Sequence, residues 1–357
     1  MVPLMGRPST GITVRELARL AGVSRQTVSD ALRGTGRVAA ATQKRIRELA
    51  EEFRYAPDPL ISAGLAQIRR KSPQRTKAVL GYVETGSTPD LTGIHESYRR
   101  LYQGAQERAE NLGYLLERFS IADPNIKPKG LQKILFARGI RGLVILYIDD
   151  WNKDPAPLPL DLNQFAAATI GARLRTPALH FAMADEFANT QLCIQYLTDL
   201  GYQRIGLALP SPLDRLIENR ISHAYYGWQQ SKSAGVRLPV FDNRVTQFES
   251  TANAYRSWID RWKPDAIMSF PQGRLNRHLG LRFPEQAGFV HLDRNPSNSG
   301  IAGIDQKHEA TGAAAVDIVA RLLALGEIGP PSTAHGTLIE GRWVAGATVE
   351  EQGRASK

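Results

Sequence analysis

The stretch AGVSRQTVSDALRG, residues 21–34, gathers side chains suited to contacting a nucleic acid. Gln26 can present a donor and an acceptor to an adenine edge, and Arg25 can reach the edge of guanine. Contacts to phosphate oxygens fix the register of a protein on DNA, and hydroxyl groups are well suited to them. Hydroxyls that suit such contacts belong to Ser24, Thr27, Ser29 and Thr42. The residue types therefore favour a surface that binds double-stranded DNA.

Asp30 is an acid within this otherwise basic and polar stretch. Its carboxylate can accept a hydrogen bond from a cytosine amino group and so help to choose the bound sequence. Alternatively, it pairs with Arg33 or Arg37 and avoids the groove. Both alternatives remain open from the sequence.

The charge of the chain is concentrated near its start. Of the 357 residues, the first 75 hold 14 Lys and Arg against 6 Asp and Glu, a net charge of +8. The remaining 282 residues hold 31 against 29, a net charge of +2. A small basic module on a nearly neutral body indicates local attraction to a polyanion, which a single acid at position 30 need not abolish.

Three short helices are predicted to position these side chains. Thr13 is a candidate N-cap for a first helix whose apolar residues follow at helical spacing, and Gly22 ends that helix. Ser24 caps a second helix, and a third is expected from Ala40 to about Phe53. Two helices joined by a glycine-containing turn, with a third covering the core, are typical of a helix-turn-helix. Side chains expected to face inward from the third helix are Ile46, Leu49, Ala50 and Phe53.

Residues 12–59, ITVRELARLAGVSRQTVSDALRGTGRVAAATQKRIRELAEEFRYAPDP, resemble the headpiece of the lactose-repressor (LacI/GalR) family of bacterial transcription regulators. The resemblance implies base-reading positions at Arg25, Gln26 and Asp30. It places phosphate contacts at Ser24, Thr27, Ser29 and Thr42. The predicted DNA-binding set is completed by Thr13, Arg33, Arg37 and Leu65.

Residues 58–76 are expected to link the head to the rest of the chain. In the family this stretch is a hinge helix that inserts a leucine into the minor groove and kinks the duplex. Gly64 occupies that position here, with Leu65 next to it. Leu65 is therefore either a displaced wedge or an ordinary linker residue.

From residue 77 the sequence alternates apolar strands with amphipathic helices. This pattern indicates parallel sheets with helices on both faces, and its length is too great for one sheet. Strands are predicted at residues 78–83, 114–119, 142–148, 204–209, 266–270 and 288–292. The predicted fold is thus an all-α helix-turn-helix headpiece (1–57) and an α/β, periplasmic-binding-protein-like body (77–349) of two doubly wound parallel-sheet subdomains, followed by a tail (350–357).

The family resemblance implies a ligand cleft between the subdomains, with chain crossings near residues 176–183, 300–305 and 329–333. Arg220 matches an arginine that holds ligand hydroxyls or carboxylates; the alternative is a surface arginine at a helix start. Asp293 matches an acidic ligand position; alternatively it caps a loop or pairs with Arg294. Gln272 is a further candidate. Aromatic side chains that can stack on a ring, or else belong to the core, are Tyr147, Trp151, Phe270 and Trp228.

Several classes of protein lack support in the sequence. No apolar run approaches a membrane span, and no secretory signal is evident at the start, which predicts a cytoplasmic protein. There is no phosphate-binding lysine loop, nucleophile elbow or metal-ligand spacing, so neither a cofactor nor a metal is expected. The lone Cys193 is predicted to be a buried apolar residue.

The leading hypothesis is a homodimeric transcription regulator, a repressor as is most common in the family, that binds a pseudo-palindromic operator. A small molecule, sugar-like by the family resemblance, would control it from the cleft. The sequence of the tail, EEQGRASK, has no leucine heptads and so predicts a dimer rather than a tetramer. Alternatives from other classes are an enzyme of sugar or nucleoside metabolism fused to a DNA-binding head, and a solute-binding protein.

Overall fold

The structure is a computed structural model, and it describes residues 14–32, 38–53, 78–86, 88–126, 130–148, 158–232, 237–242, 244, 247–270 and 273–352. In this part of the chain, no helix is long and apolar enough to cross a membrane. The following residues singled out by the sequence lie outside the described ones: Thr13, Arg33, Arg37, Gly64, Leu65, Trp151 and Gln272.

Three helices form the head: α1 (Val14–Ala21), α2 (Arg25–Leu32) and α3 (Ala40–Glu52). Between α1 and α2 the chain turns at Gly22, whose φ of 65° is rarely adopted by residues with a side chain. Their shared core consists of Leu17, Ala18, Ala21, Val28, Ala31, Ile46 and Ala50.

The expectation that Phe53 faces this core is wrong. Phe53 is 40% exposed because it follows the last turn of α3, where it serves as the C-cap. The other three predicted positions of α3 do face inward, with Ile46 and Ala50 buried and Leu49 packed at the edge of the core.

The strands of the body are β1 (Ala78–Glu84), β2 (Tyr114–Ser120), β3 (Gly142–Leu146), β4 (Ala166–Ile170), β5 (His180–Ala184), β6 (Ile205–Ala208), β7 (Ala266–Ser269), β8 (Gly288–His291), β9 (Ala302–Asp305), β10 (Gly336–Ile339) and β11 (Arg342–Val344). Its helices are α4 (Leu91–Ile94), α5 (Glu96–Asn111), α6 (Gly130–Ala137), α7 (Glu186–Asp199), α8 (Ser211–Leu216), α9 (Arg220–Ser231), α10 (Phe248–Trp262), α11 (Gly273–His278) and α12 (His308–Leu325). Short 3-10 turns occur at Leu162–Gln164 and Pro296–Asn298.

The strands form two sheets. The first sheet has the order β10-β5-β4-β3-β1-β2, and all its neighbouring strands are parallel. The second has the order β11-β9-β8-β7-β6 and is parallel except for β11, which pairs with β9 in the antiparallel sense. Two doubly wound parallel-sheet subdomains are therefore confirmed, with one antiparallel edge strand of the kind found in many such sheets.

Each sheet has an apolar core on both faces because alternate residues of a strand point to opposite sides. In β3, Val144 packs with the core below α5 and α12, whereas Leu143 and Ile145 pack with the core below α6. In the second sheet, Met268 of β7 joins the core that contains Cys193. Cys193 is fully buried, and burial raises the pKa of its thiol, as expected for an apolar core residue.

The chain passes between the subdomains three times. It leaves the first sheet after β5, returns between β9 and α12, and passes again between β10 and β11. The predicted crossings near 176–183 and 300–305 lie slightly early, because β5 and β9 run on to the carboxyl edge of their sheets. The predicted crossing near 329–333 lies before β10, which still belongs to the first sheet, so the third passage comes only after Ile339. The proposed limits of the domains remain predictions.

Helix α12 follows the second passage and packs tightly on α5 of the first subdomain. A Cβ atom at Gly104 of α5 would lie 2.0 Å from the Glu309 carbonyl oxygen, and one at Gly312 of α12 would lie 2.1 Å from the Leu101 carbonyl oxygen. Only glycine allows two backbones to approach this closely. The contact fixes the start of α5 beside the passage between the subdomains.

Candidate DNA interface and ligand cleft

The N-terminus of α2 presents two of the predicted phosphate-contacting hydroxyls. The backbone N–H of Thr27 donates to Ser24 Oγ at 3.0 Å, which makes Ser24 the predicted N-cap. The two hydroxyls also share a hydrogen bond of 2.8 Å at an exposed position. The N-cap and first turn of α2 thus hold both hydroxyls in place at the surface, where the N–H groups of a helix N-terminus favour an anion.

Other predicted contact positions lie on α2 and at the start of α3. Arg25, Gln26 and Ser29 belong to α2, and Asp30 is half-buried in its last turn. Thr42 is half-buried in the first turn of α3. The neighbouring Gln43 donates from Nε2 to the carbonyl oxygen of Ala31 at 3.1 Å, which ties α3 to the end of α2. Whether these side chains read bases or phosphates stays a prediction.

In the body, side chains that follow strands of one sheet contact side chains that follow strands of the other. Because parallel strands end at a common edge, the loops after them line the crevice where ligands bind in such folds. Three contacts cross this cleft: Ser97 to Asp293, Arg173 with Arg175 to Glu218, and Arg100 to Asp305. We call the first the acid end of the cleft and the second the arginine end.

At the acid end, Asp293 follows β8 and is held by groups from several elements. Ser97, in the first turn of α5, donates from Oγ to Asp293 Oδ2 at 2.5 Å. His308 Nε2 lies 2.7 Å from the other carboxylate oxygen. Burial alone would raise the pKa of Asp293, but the charge of His308 and the hydrogen bonds from His308 and Ser97 lower that pKa to about 2.

A second buried acid near this end has the opposite character. Glu186 is the first residue of α7, and burial, with the negative charge of Asp293, raises its pKa to about 8. Gln306 donates from Nε2 to Glu186 Oε2 at 3.0 Å and to the Leu292 carbonyl oxygen at 2.9 Å. At neutral pH the acid end therefore combines one ionised and one protonated carboxyl group.

At the arginine end, three guanidinium groups surround the carboxylate of Glu218. Arg175 Nη2 lies 2.6 Å from Oε1, and Arg173 Nη1 and Arg220 Nη2 each lie 3.2 Å from Oε2. Against the effect of burial, these charges lower the pKa of Glu218. The guanidinium of Arg173 also lies over the ring of Phe181, 4.5 Å from its centroid.

The third contact lies at the passage from β9 to α12. Arg100 donates from Nε to Glu309 Oε1 at 2.7 Å and from Nη2 to Asp305 Oδ1 at 3.0 Å. Arg342 approaches the other oxygen of Asp305 at 3.1 Å. These charge-assisted hydrogen bonds join both subdomains beside the crossing strand, at the position of a pivot.

The structure divides the predicted effector residues between the cleft and the cores. Arg220 and Asp293 both lie at the cleft, at opposite ends of it. Arg294 does not pair with Asp293, since its guanidinium donates to the carbonyl oxygens of Ser299 and Ile301. Phe270 is buried in the core of the second subdomain and Tyr147 packs against a core of the first.

Trp228 of α9 packs at the edge of the second subdomain's core. Lys232 Nζ lies over its ring, 4.1 Å from the centroid. For Trp228 the structure therefore agrees with the alternative of a core residue.

Reasoning from the sequence missed many residues of the cleft, among them Ser97, Arg173, Arg175, Glu218 and His308. Ser97, Arg173 and Arg175 follow the carboxyl ends of strands of the first sheet, which is a usable signal. Glu218 gives no comparable signal, because its role depends on a left-handed φ of 66° that residues other than glycine rarely adopt.

The head matches a known family over most of its length. The family "Bacterial regulatory proteins, lacI family" matches residues 13–58. The E. coli K12 protein "HTH-type transcriptional repressor CytR" is 26% identical to this chain over 304 residues, which cover 80% of this chain and 81% of that protein. The "HTH-type transcriptional repressor PurR" of Aliivibrio salmonicida is 28% identical over 299 residues, covering 79% of this chain and 82% of that protein.

Solved structures share the fold of nearly the whole chain. The "transcriptional regulator CelR-cellobiose complex" has a TM-score of 0.59 and 19% identity, covering 95% of this chain and 100% of that one. The Lac repressor dimer bound to operator and the anti-inducer ONPF has a TM-score of 0.55 and 18% identity, covering 95% and 99%. Both of these relatives, CytR and PurR, are named as transcriptional repressors. Residues 13–58 thus match the lacI family of bacterial regulatory proteins, and most of the chain is similar to the two repressors named above.

Proposed function

We propose that the protein is a transcriptional repressor that binds a pseudo-palindromic operator as a homodimer and is controlled by a small molecule in the cleft of the body. One observation carries this proposal. A head that matches the lacI family precedes a body of two sheets, and side chains that follow the strands of one sheet contact those of the other across a cleft. A protein of this kind acts on DNA in the cytoplasm.

On the DNA, α2 enters the major groove with Arg25 and Gln26 reading bases. Ser24, Thr27, Ser29 and Thr42 contact phosphates, and the basic side chains of the head supply the attraction to the duplex. The exposed cations of α3, which include Lys44, Arg45 and Arg47, support this arrangement. The predicted contacts of Thr13, Arg33, Arg37 and the wedge Leu65 belong to the same proposal.

In the body, a polar ligand of sugar-like chemistry lies between Asp293 and Arg220. One structural neighbour carries cellobiose in its name and another an anti-inducer, which supports a polar organic ligand. Asp293 offers a carboxylate to hydroxyl groups and Arg220 offers a guanidinium fork. The ligand then shifts the population of open and closed bodies, and with it the spacing of the two heads.

Selection of bound duplexes from a random DNA pool tests the proposal. Wild type, Asp30→Ala and, as a matched control, Glu107→Ala on the exposed face of α5 are compared at moderate salt. Enrichment of one pseudo-palindrome by wild type and control is the expected result. No enrichment, or enrichment of a single half-site by a monomer, would contradict it.

The Asp30→Ala arm decides between the two interpretations of that acid. A change of base at symmetric positions of the enriched sequence would mean that Asp30 contacts DNA. An unchanged sequence would mean that Asp30 only pairs within the head.

A further inference from the structure

The arginine end of the cleft holds more positive charge than its resident carboxylate can neutralise. Arg173, Arg175 and Arg220 share the single negative charge of Glu218, so the cluster keeps an excess of two positive charges. Arg173 and Arg175 come from the first subdomain, and Glu218 and Arg220 come from the second. An arginine fork can bind carboxylate and phosphate oxygens in two parallel hydrogen bonds, whereas each arginine of this cluster donates a single hydrogen bond to Glu218.

Arg220 retains a donor that Glu218 does not satisfy. Its Nε is buried and has no hydrogen-bond partner among the described residues. A buried donor left unpaired is costly, and charged donors are the most costly of all. A further anionic oxygen beside Arg220 would remove this cost.

Glu218 itself lies on a turn that can release it. Glu218 and Asn219 adopt φ angles of 66° and 57°, two consecutive left-handed residues without a glycine. Such conformations persist only where the surroundings impose them, and the ion pairs of Glu218 with the three arginines are among the contacts that hold this turn. An incoming anion that takes over the arginines would free the turn to relax.

We infer that the cage formed by Arg173, Arg175 and Arg220 binds an anionic group of the effector, a phosphate monoester or a carboxylate, in place of the Glu218 carboxylate. This inference rests on the proposed function, because it names the ligand class of the proposed cleft. The effector is then an anionic polyol, with its charged group at the arginine end and its hydroxyls toward Asp293. Since the cage spans both subdomains, the anion closes the cleft as Glu218 now does.

Titration of the full chain with inorganic phosphate, at constant ionic strength, tests the cage directly. Binding is followed by calorimetry for wild type, Glu218→Gln and the matched control Glu327→Gln, which removes an exposed carboxylate beside Arg321. The head also attracts phosphate, but it is identical in all three proteins. Removing the competing carboxylate is expected to tighten phosphate binding at least fivefold in Glu218→Gln and to leave the control unchanged.

A further variant, Arg173→Gln, keeps the inference testable if Glu218→Gln fails to fold. Phosphorus NMR of wild type and Arg173→Gln is expected to show weaker phosphate binding in the variant, by about tenfold. Acetate titrated in the same way separates carboxylate from phosphate as the preferred group. Equal phosphate affinity in Glu218→Gln and Glu327→Gln, or no effect of Arg173→Gln, would overturn the inference.

Operator binding by the same preparations separates the two proposals. Operator enrichment without a phosphate site would refute the arginine cage and leave the regulator intact. A phosphate site without any operator enrichment would refute the proposed function while the cage stands.

Discussion

The two ends of the cleft join the same two subdomains by different physical means. At the acid end, the side chains of Asp293 and His308 are only 14% and 9% exposed and meet at 2.7 Å. At the arginine end, Glu218 meets Arg175, whose side chain is 67% exposed. Because solvent screens exposed charges, an ion pair at the acid end stabilises the closed cleft more than a similar ion pair at the arginine end.

The difference separates an end of the cleft whose charges are already paired from an end that has positive charge to spare. The carboxylate of Asp293 is satisfied by Ser97 and His308, and its neighbour Glu186 is neutral at pH 7. The arginine end keeps unneutralised charge and an unpaired donor on Arg220. We therefore expect substitutions at the acid end to affect stability most, and substitutions at the arginine end to affect ligand binding most.

The largest effect on stability is expected from Glu186→Gln. With its pKa raised to about 8, Glu186 stays protonated in the folded protein at pH values where it ionises in the unfolded chain. The free energy of unfolding that this protonated side chain contributes is therefore lost as pH rises from about 4.5 to 8. Glutamine imitates the neutral acid. The variant should exceed wild type in free energy of unfolding by on the order of 3 kcal/mol at pH 8 and by less than about 1 kcal/mol at pH 5.

Urea unfolding at the two pH values measures this effect, with Glu107→Gln as an exposed control. An advantage that is the same at both pH values would mean that Glu186 is ionised in the folded protein.

Asp293→Asn is expected to have the opposite sign. The pKa of Asp293 is lowered to about 2, so its ionised form stabilises the fold above the pKa of the unfolded chain, and this stability is lost as pH falls toward 2. The variant should lose about 2 kcal/mol at pH 6, and roughly half of that deficit should remain at pH 3. Urea unfolding curves of wild type and variant at both pH values measure this deficit in free energy of unfolding. A deficit that grows on acidification would show the sign to be wrong.

The bond between Ser97 and Asp293 can be isolated by a double-mutant cycle. Ser97→Ala, Asp293→Asn and the double variant should give a coupling free energy of about 1 kcal/mol at pH 7, because the hydroxyl donates to a buried charge. Denaturant midpoints of the four proteins supply the cycle. Strictly additive losses would mean that this contact does not hold the cleft in solution.

The smallest stability effect is expected from Glu218→Gln at the other end. Its partner Arg175 is largely exposed, so solvent and salt screen the attraction that the variant removes. The loss should therefore stay below about 1 kcal/mol and shrink further in salt. Urea midpoints at low and high salt measure it. A salt-independent loss of several kcal/mol would make the two ends alike.

The sequence was sufficient to predict the fold class and six of the eleven strands of the described residues. Continuous apolar runs placed β1, β7 and β8 within about one residue of their observed ends, because a strand buried on both faces tolerates few polar residues. In the head, Gly22 and Ser24 predicted the end of α1 and the start of α2. Phe53 was misjudged because helical periodicity continues in the sequence beyond the point at which the helix ends.

The site was less predictable, since its contacts join residues far apart in the chain. Arg220 and Asp293 were found only through the family resemblance. Ser97 and Asp293 are 196 positions apart, and Glu218 acts through a backbone conformation that its residue type disfavours. Phe270 follows a strand end as a ligand-stacking residue would, yet its ring packs into the core.

The central claim is that closure of the cleft controls the head, and a covalent closure tests it most directly. Ser97→Cys combined with Asp293→Cys allows the cleft to be joined by oxidation, while the buried Cys193 stays inert. Affinity for the selected operator is then measured by fluorescence anisotropy in the oxidised and reduced protein, with each single variant as control. Coupling between cleft and head predicts a change of at least about fivefold on oxidation, reversed by reductant. Equal operator affinity in the joined and reduced double variant would contradict it.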